Sequence, residues 1–329
     1  LILDIDADRV VLVDISGNIN AGGNLSIEAV NNEDLYGIIE GYNTSGVTAL
    51  GDSELTIKQT NDVKVKIQEN AMLHADGILT LRADNKAQKD GSSYASVITG
   101  IVANANVKEN YTANYKTTID AVNVTLEACT GIMITANGRQ VILSEASESL
   151  GGLLAYGNGK EVTNVNAEVI VDLSNSKLDL RKGDIVIEAK SDVDGQKIKI
   201  NGGAGEAAGK TDEIAEANIN QNVQIKLTQA DILNRSTGKI EIGTNVSGNL
   251  NATGILEVDA WIETTAKSTI TTTNTATSKI ILDYTSIRSD GDVTLKADYG
   301  KMNSSIKNEV YTKGTFYAQA KATSRLNET

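Results

Sequence analysis

The sequence predicts an all-β protein, a single continuous parallel β-helix (β-solenoid) through residues 1–329. Three observations support this fold class: an alternating apolar–polar pattern recurs along the chain, several of its copies are separated by multiples of about 18 residues, and the chain contains no proline. Strict alternation at period two is the pattern of a strand with one buried face. Chains that repeat one such unit at a fixed period stack their units into a solenoid.

The repeated pattern begins with Ile or Leu, has Gly at its fifth position, places aliphatic residues at its seventh and ninth positions and ends with Ala. Its four copies are "INAGGNLSIEA" at 19–29, "LHADGILTLRA" at 73–83, "LNATGILEVDA" at 250–260 and "IRSDGDVTLKA" at 287–297, and looser relatives occur at 119–128 and 178–189. A repeated glycine inside a strand pattern marks a bend. We therefore expect structural corners at Gly23, Gly77, Gly254 and Gly291. We expect buried, inward-facing side chains at Ile19, Leu25, Ile27, Leu73, Leu79, Leu81, Leu256, Val258, Val293 and Leu295.

The spacing of the copies predicts the size of one coil. The residue numbers of Ile19 and Leu73 differ by 54, and those of Leu178 and Leu250 differ by 72, which are three and four times 18. A coil of roughly 18–20 residues would give about 18 coils and a rod about 85 Å long. The intervals of 46 residues from Leu73 to Ile119 and of 59 residues from Ile119 to Leu178 do not divide evenly, which predicts loop excursions near 84–118 and 145–165. The Gly- and Ala-rich, then acidic, composition of 201–221 predicts a third excursion there.

Composition restricts the classes of partner. The formal net charge is −13, with 30 Lys and Arg against 43 Asp and Glu, which argues against nucleic acid and anionic membrane surfaces as partners. No apolar run is long enough to span a membrane, so we expect no membrane insertion. The alternation is already present in the first residues, and we expect the chain to be a segment of a longer protein. Cys129 is the single cysteine, and we expect it to be a small, buried side chain.

Few residues have the spacing of a metal site, and none indicates a cofactor. Asp4, Asp6 and Asp8 have the spacing of a calcium-binding loop, but such loops need Gly at the sixth position, where this chain has Arg9. Alternation with apolar residues favours the solvent-exposed face of a strand for these acids. His74, beside Asp76, is the only histidine, and we expect it to be exposed and without a zinc site, which needs several Cys or His ligands.

Two further features allow alternative interpretations. Carboxylates on neighbouring coils could form the acid pair of a carbohydrate-active enzyme, although the seven Arg, one Trp and one Phe provide few residues to bind sugars. Tyr94, Tyr111 and Tyr115 follow copies of the pattern and could form a contact ridge for a partner. Alternatively, these tyrosines cover exposed apolar edges of coils.

The repeats also resemble a protein family. The segments "AGGNLSIEA", "ADGILTLRADN" and "SDGDVTLKAD", with "GVTALGDSELTI" and "SSYASVITGIVANANV" between them, resemble the repeat regions of filamentous haemagglutinin-like adhesins, and most closely those of leukotoxin-type filamentous adhesins. The resemblance covers nearly the whole chain and is carried by repeats. It implies a right-handed β-helix that is exported across the bacterial outer membrane and displayed on the cell surface.

These observations together predict a structural and adhesive repeat segment of a secreted bacterial surface fibre, extracellular and without catalysis or cofactors. The expected partner is a receptor or glycan on a host or neighbouring cell, and the chain could also self-associate end to end. One alternative is a carbohydrate-active β-helix hydrolase or lyase. The other is a self-assembling extracellular filament or surface-layer subunit.

Overall fold

The computed structural model describes residues 1–314 and 317–329, which form β-strands and short connections, with no helix. All strand pairs within these ranges are parallel, so the prediction of an all-β parallel β-helix is confirmed. The strands are β1 Ile2–Ile15, β2 Ile19–Ala21, β3 Leu25–Ser45, β4 Thr48–Ile67, β5 Met72–Ala75, β6 Ile78–Thr99, β7 Val102–Ala121, β8 Thr125–Ala128, β9 Gly131–Asp172, β10 Lys177–Leu180, β11 Ile185–Thr228, β12 Asp231–Asn234, β13 Ile240–Asp283, β14 Ser286–Ser289, β15 Val293–Gly314 and β16 Tyr317–Glu328.

Each coil consists of one short strand and two long arms. In the first complete coil these are β2, then β3 as the first arm and β4 as the second arm. In later coils a single strand such as β9, of 42 residues, supplies both arms. The two arms face each other, because Lys89 on the first arm bonds Glu109 on the second. An arm of 21 residues, such as β3, is about 70 Å long at ~3.3 Å per residue.

The register corrects the predicted coil length. Leu25 pairs with Leu79, Leu79 with Ile132, and Ile185 with Ile240. Hydrogen bonds between paired coils accordingly join positions 53 to 55 residues apart, which is the length of one coil. The prediction of roughly 18–20 residues per coil is wrong, because the separation of 54 between sequence copies is one coil and not three.

The number of coils sets the shape of the molecule. The six short strands form one sheet. At ~4.8 Å per coil, the stack is about 30 Å tall. Since the arms are longer than the stack is tall, the molecule is a broad slab rather than the predicted rod.

The predicted loop excursions are strands. Residues 84–118 lie almost entirely in β6 and β7, residues 145–165 lie in β9, and residues 201–221 lie in β11. Their inward positions carry Gly, Ser, Thr and Glu in addition to aliphatic residues. The interior of the slab is partly polar in the outer halves of the arms. The loop predictions at 84–118 and 145–165 are wrong because they depend on an assumed coil of roughly 18 residues, and the one at 201–221 is wrong because it depends on composition alone.

The structure places the four predicted corner glycines at two kinds of position. Gly23, Gly77 and Gly291 lie in the bend between a short strand and the first arm. Gly254 lies inside β13, so the prediction of a corner at this position is wrong. The copy at 250–260 is in register with the arm segment 195–206, and it does not stack on the other three copies.

The apolar core is divided along the arms. The largest cluster lies next to the short sheet and includes Leu73, Leu79 and Leu81, which are fully buried. Among the residues expected inside, Ile27, Leu256 and Val258 are also buried, and Ile19 and Leu25 are partly buried. The prediction that Val293 and Leu295 are buried is wrong, since they are 45% and 47% exposed. They face inward, but β15 is the last strand in the order of the large sheet, so no further coil among the described residues covers them.

Candidate functional sites

The predicted calcium ligands do not converge. Asp4, Asp6 and Asp8 alternate along β1 with their side chains exposed. Since alternate residues on a strand are about 7 Å apart, these three carboxylates form a row on the solvent-exposed face. Within the described ranges, the only group of three or more possible metal ligands with converging donor atoms contains His74, Asp76 and Cys129.

The predicted tyrosine ridge is also not formed. Tyr94 faces outward and its ring packs against Tyr42 at a centroid distance of 5.6 Å. Tyr111 and Tyr115 are buried, with 0% and 3% exposure, because the odd-numbered positions of β7 face the interior. Their hydroxyls donate to Gln59 Oε1 at 2.8 and 2.7 Å. Burial raises the pKa of both phenols, so these tyrosines are neutral parts of the core.

An exposed apolar column lies where the first arm turns into the second, and we call it the distal edge. It consists of Val47, Ile101, Leu153, Trp261 and Ile262, which are 42–78% exposed, with Trp261 the most exposed. Backbone hydrogen bonds stack neighbouring coils here, from Val102 N to Val47 O and from Leu154 N to Ile101 O, at 2.9 and 2.8 Å. Val47, Ile101 and Leu153 lie on successive coils, and Trp261 and Ile262 lie two coils beyond Leu153, with Ala207 of β11 between them. Exposed apolar residues grouped on a protein surface mark a contact surface.

The interior between the arms contains a buried polar network. Lys89, which is fully buried, donates to Glu109 and to Ser144 Oγ, and its ammonium lies 5.0 Å from the centre of the Tyr111 ring. Ser144 also bonds Glu161 at 2.9 Å. Burial raises the pKa of Glu161 to about 8, and the neighbouring Glu109 carboxyl adds to the rise.

Two more buried acids lie farther along the arms, without a basic partner among the described residues. Burial raises the pKa of Glu148 to about 8 and raises that of Glu213 well above its usual value, with Glu148 adding to the shift. A Cβ on Gly157 would collide with the Glu148 carboxyl, and a Cβ on Gly202 would collide with that of Glu213. The two glycines therefore leave the space that the carboxyl groups occupy.

The outer face of the short sheet brings together the remaining chemically reactive groups. His74 Nε2 lies 3.2 Å from Asp76 Oδ1, and His74 Nδ1 lies 3.5 Å from Glu127 Oε2. Cys129 Sγ lies 4.0 Å from the same Asp76 oxygen. Cys129 is partly exposed, so the expectation of a buried cysteine is wrong, and His74 does have a cysteine neighbour.

Beside this cluster, a row of acids on adjacent coils lies next to a row of arginines. Glu127 and Asp179 occupy the same row of neighbouring strands, and Arg235 donates to both carboxylate oxygens of Asp179 at 2.7 Å. This hydrogen bonding lowers the pKa of Asp179. Together with Arg181, these side chains line a shallow cleft of about 350 Å³.

The sequence contained a signal for the His74–Cys129 pair, because their residue numbers differ by 55. That separation is slightly more than one coil, but an assumed coil of roughly 18 residues placed Cys129 three coils from His74.

Comparisons with protein-family models, with curated proteins and with solved structures find no match for this chain. No helix of the described residues could cross a membrane.

Proposed function

We propose that this chain is a structural and adhesive repeat segment of a secreted bacterial surface fibre, without a catalytic centre. The observation that carries the proposal is the distal edge. It presents Ile101, Leu153 and Trp261 to solvent along the narrow side of a stacked β-slab. Exposed aliphatic and aromatic side chains are the residues that anchor protein contacts.

The slab provides a rigid support for this edge. Side-chain amides form ladders between coils, such as Asn114–Asn166 at 3.1 Å and Asn164–Asn218 at 3.0 Å. Lys64 on one coil bonds Asp120 on the next at 2.8 Å. A contact surface that is held in place before binding loses less entropy when it meets its partner, which suits a segment whose work is adhesion.

The chemistry of the edge favours a protein on a host or neighbouring cell as the partner. Sugar-binding surfaces use several aromatic rings, whereas the distal edge has mostly Val, Ile and Leu, with Trp261 as the only aromatic side chain among the residues that define it. The net charge of −13 argues against anionic membranes. A glycan receptor is therefore the alternative outcome of the test below.

Adhesion of the immobilised chain to cultured host cells and to bacterial cells would test this proposal. We expect binding that protease treatment of the cells abolishes and glycosidase treatment leaves intact. Ile101→Ser together with Trp261→Ser should reduce binding at least tenfold. The control is Tyr36→Ser, which removes a 64% exposed side chain from the flat face of the first arm.

Binding that persists in the double variant, or binding to no cell type, would contradict the proposal. Binding lost on glycosidase treatment but not on protease treatment would transfer the proposal to a glycan receptor. Circular dichroism and thermal unfolding of each variant would establish that the slab remains folded.

One observation favours the enzymatic alternative, namely the Glu127–Asp179 row with Arg181 and Arg235 beside it. Paired carboxylates and arginines are what a polysaccharide hydrolase or lyase needs. Against this role, both oxygens of Asp179 are bound by Arg235. We expect no cleavage of pectin, alginate, hyaluronan or chondroitin. Cleavage that Asp179→Asn or Glu127→Gln abolishes would replace the adhesive proposal with the enzymatic one.

A further inference from the structure

We propose that His74, Asp76 and Cys129 form a zinc-binding site that joins two adjacent coils. This inference goes beyond adhesion and is independent of it. Its basis is the position of three different ligand types on the outer face of the short sheet. One donor atom from each residue lies within 4.8 Å of the other two.

The distances match the size of a zinc site. Zinc binds imidazole nitrogen and carboxylate oxygen at about 2.0–2.2 Å and thiolate sulfur at about 2.3 Å. In a tetrahedral site, these bond lengths place neighbouring ligand atoms about 3.3–3.8 Å apart. Here, the distance from His74 Nε2 to Asp76 Oδ1 is 3.2 Å and that from Cys129 Sγ to Asp76 Oδ1 is 4.0 Å. Small side-chain rotations would therefore bring all three atoms into coordination.

The backbone fixes the positions from which the ligands extend. His74 lies on β5 in register with Glu127 on β8. Cys129 directly follows β8, and its N–H bonds Ala75 O at 3.0 Å. Asp76 N–H bonds Ala21 O of the coil below at 2.9 Å. The three Cα atoms are thus held by the pairing of the coils, with no flexible loop between them.

Glu127 supplies the contact that an imidazole ligand requires. Histidine ligands of zinc commonly donate their other ring N–H to a carboxylate, which orients the ring and makes it a stronger ligand. Glu127 Oε2 lies 3.5 Å from His74 Nδ1. With the proton on Nδ1, Nε2 presents its lone pair towards Asp76 and Cys129.

The donor set selects the metal. A thiolate and an imidazole favour Zn²⁺ over Ca²⁺ and Mg²⁺, which bind oxygen ligands. Three protein ligands leave a fourth position for water or an external ligand. Because Asp76 is exposed and His74 and Cys129 are partly exposed, the ion can enter from solvent. The bound ion would connect the coil of β5 to the coil of β8 and would stabilise their pairing.

The test uses the untagged, reduced chain, freed of metal, titrated with Zn²⁺ by calorimetry and with Co²⁺ by absorption spectroscopy. We expect one ion per chain, a thiolate-to-cobalt charge-transfer band, and a rise in the thermal midpoint with Zn²⁺. Cys129→Ser should remove the band. Cys129→Ser and His74→Gln should each weaken Zn²⁺ binding at least tenfold. Glu127→Ala should weaken it about 10- to 100-fold, and the control Asp4→Asn should leave it unchanged.

The absence of a thiolate band from the cobalt spectrum of the unmodified chain would overturn the proposal, as would Zn²⁺ binding that Cys129→Ser and His74→Gln leave unaltered. The spectrum needs no variant, so it decides the question even where a variant fails to fold. Adhesion measured with and without Zn²⁺ is a separate readout. Failure of the zinc site therefore remains distinguishable from failure of the adhesive function.

Discussion

At one corner of every coil, between the second arm and the next short strand, the backbone takes the left-handed conformation. In the first coil this residue is Gly17, with φ +94°. In the coils that follow, it is not glycine, and φ ranges from 49° to 65° at Asn70, Asn123, Asn175, Gln229 and Tyr284. Asparagine tolerates this conformation better than other residues with a Cβ. The corner therefore explains part of the abundance of asparagine in this chain.

Substitutions at Asn123 test this explanation. Asn123→Ala should lower the free energy of unfolding by about 1 kcal/mol, because alanine resists the left-handed conformation. Asn123→Gly is the matched control. It also loses the 3.3 Å contact from Asn123 Nδ2 to Asn70 Oδ1 but adopts positive φ without strain. Urea denaturation would measure both variants, and an alanine variant as stable as the glycine variant would contradict this account.

The bend between the short strand and the first arm depends on close packing between coils. A Cβ on Gly77 would lie 3.0 Å from Asn24 N and from the carbonyl carbon of Gly23, which are backbone atoms of the coil below. Gly77→Val should therefore cost roughly 1–3 kcal/mol through overpacking. Gly23→Val is the control, because a Cβ on Gly23 meets no atom within 4 Å.

The damage at Gly77 should remain local, since each coil contacts only its neighbours. Hydrogen exchange should accelerate around residues 73–83 and stay unchanged around 250–260. Equal exchange for the Gly77 and Gly23 variants would mean that this bend can relax, and the steric account would then be wrong.

At the scale of the strands, the sequence predicted the parallel β-helix correctly but not the size of its coil. The alternation of Leu79 and Leu81 with polar residues identified the strands next to the short sheet, where the core is aliphatic. In the outer halves of the arms, inward positions include Lys89, Glu109 and Glu161, and alternation in hydrophobicity is lost there. No alternation marked these segments as strands, and the uneven spacing of the copies at an assumed coil of roughly 18 residues then indicated loops.

The metal-ligand cluster was missed for a related reason. Local spacing could place Asp76 next to His74, because both belong to one copy of the pattern. Cys129 reaches them only through the pairing of β5 with β8, and this pairing depends on a coil of 53 residues, the separation of Asp76 from Cys129. The number of residues per coil is set by the long arms, and no local pattern determines arm length.

The buried ion pair between Lys89 and Glu109 should contribute more to conformational specificity than to the stability of the fold. Lys89→Met leaves the buried Glu109 carboxylate without its cation, and loss of one partner of a buried pair costs about 3–5 kcal/mol. In the double variant Lys89→Met with Glu109→Leu, both charges are absent, and most of that loss should be recovered. Urea denaturation of the two variants measures the difference. A double variant no more stable than the single one would contradict this prediction.

Across the whole molecule, buried acids outnumber the basic groups that could neutralise them among the described residues. Burial raises the pKa of Glu148 and Glu161 to about 8 and that of Glu206 to about 7. Desolvation is the shared cause of these raised pKa values. Among these three acids, Lys89 opposes the rise only at Glu161. At neutral pH, protonated carboxyl groups are therefore part of the folded interior.

This arrangement predicts that the folded slab loses stability as the pH rises. A carboxyl group with a raised pKa in the folded state keeps its proton there, while the unfolded chain releases it above about pH 4.3. The unfolded state is therefore favoured progressively from about pH 4.5 until the pH passes the folded pKa near 8. A tenfold difference in the proton affinity of one carboxyl between the two states corresponds to about 1.4 kcal/mol. Carboxylates with a lowered pKa in the folded state, such as Asp179 and Glu145, lose their contribution to stability only as the pH falls towards their folded pKa. Stability should therefore be greatest near pH 5.

Urea denaturation at pH 5 and pH 8 measures this effect, and we expect a lower midpoint at pH 8. Glu148→Gln keeps the shape of the side chain but cannot ionise, so it should make the fall from pH 5 to pH 8 smaller. It should also relieve the charge repulsion on Glu213, whose pKa is raised in part by Glu148. Glu257→Gln is the control, because Glu257 lies on the exposed face of the first arm of β13. A midpoint that rises from pH 5 to pH 8 would mean that the interior acids are ionised in the folded slab and that water reaches them between the arms. An equal fall in both variants would mean that Glu148 is not a source of the pH dependence.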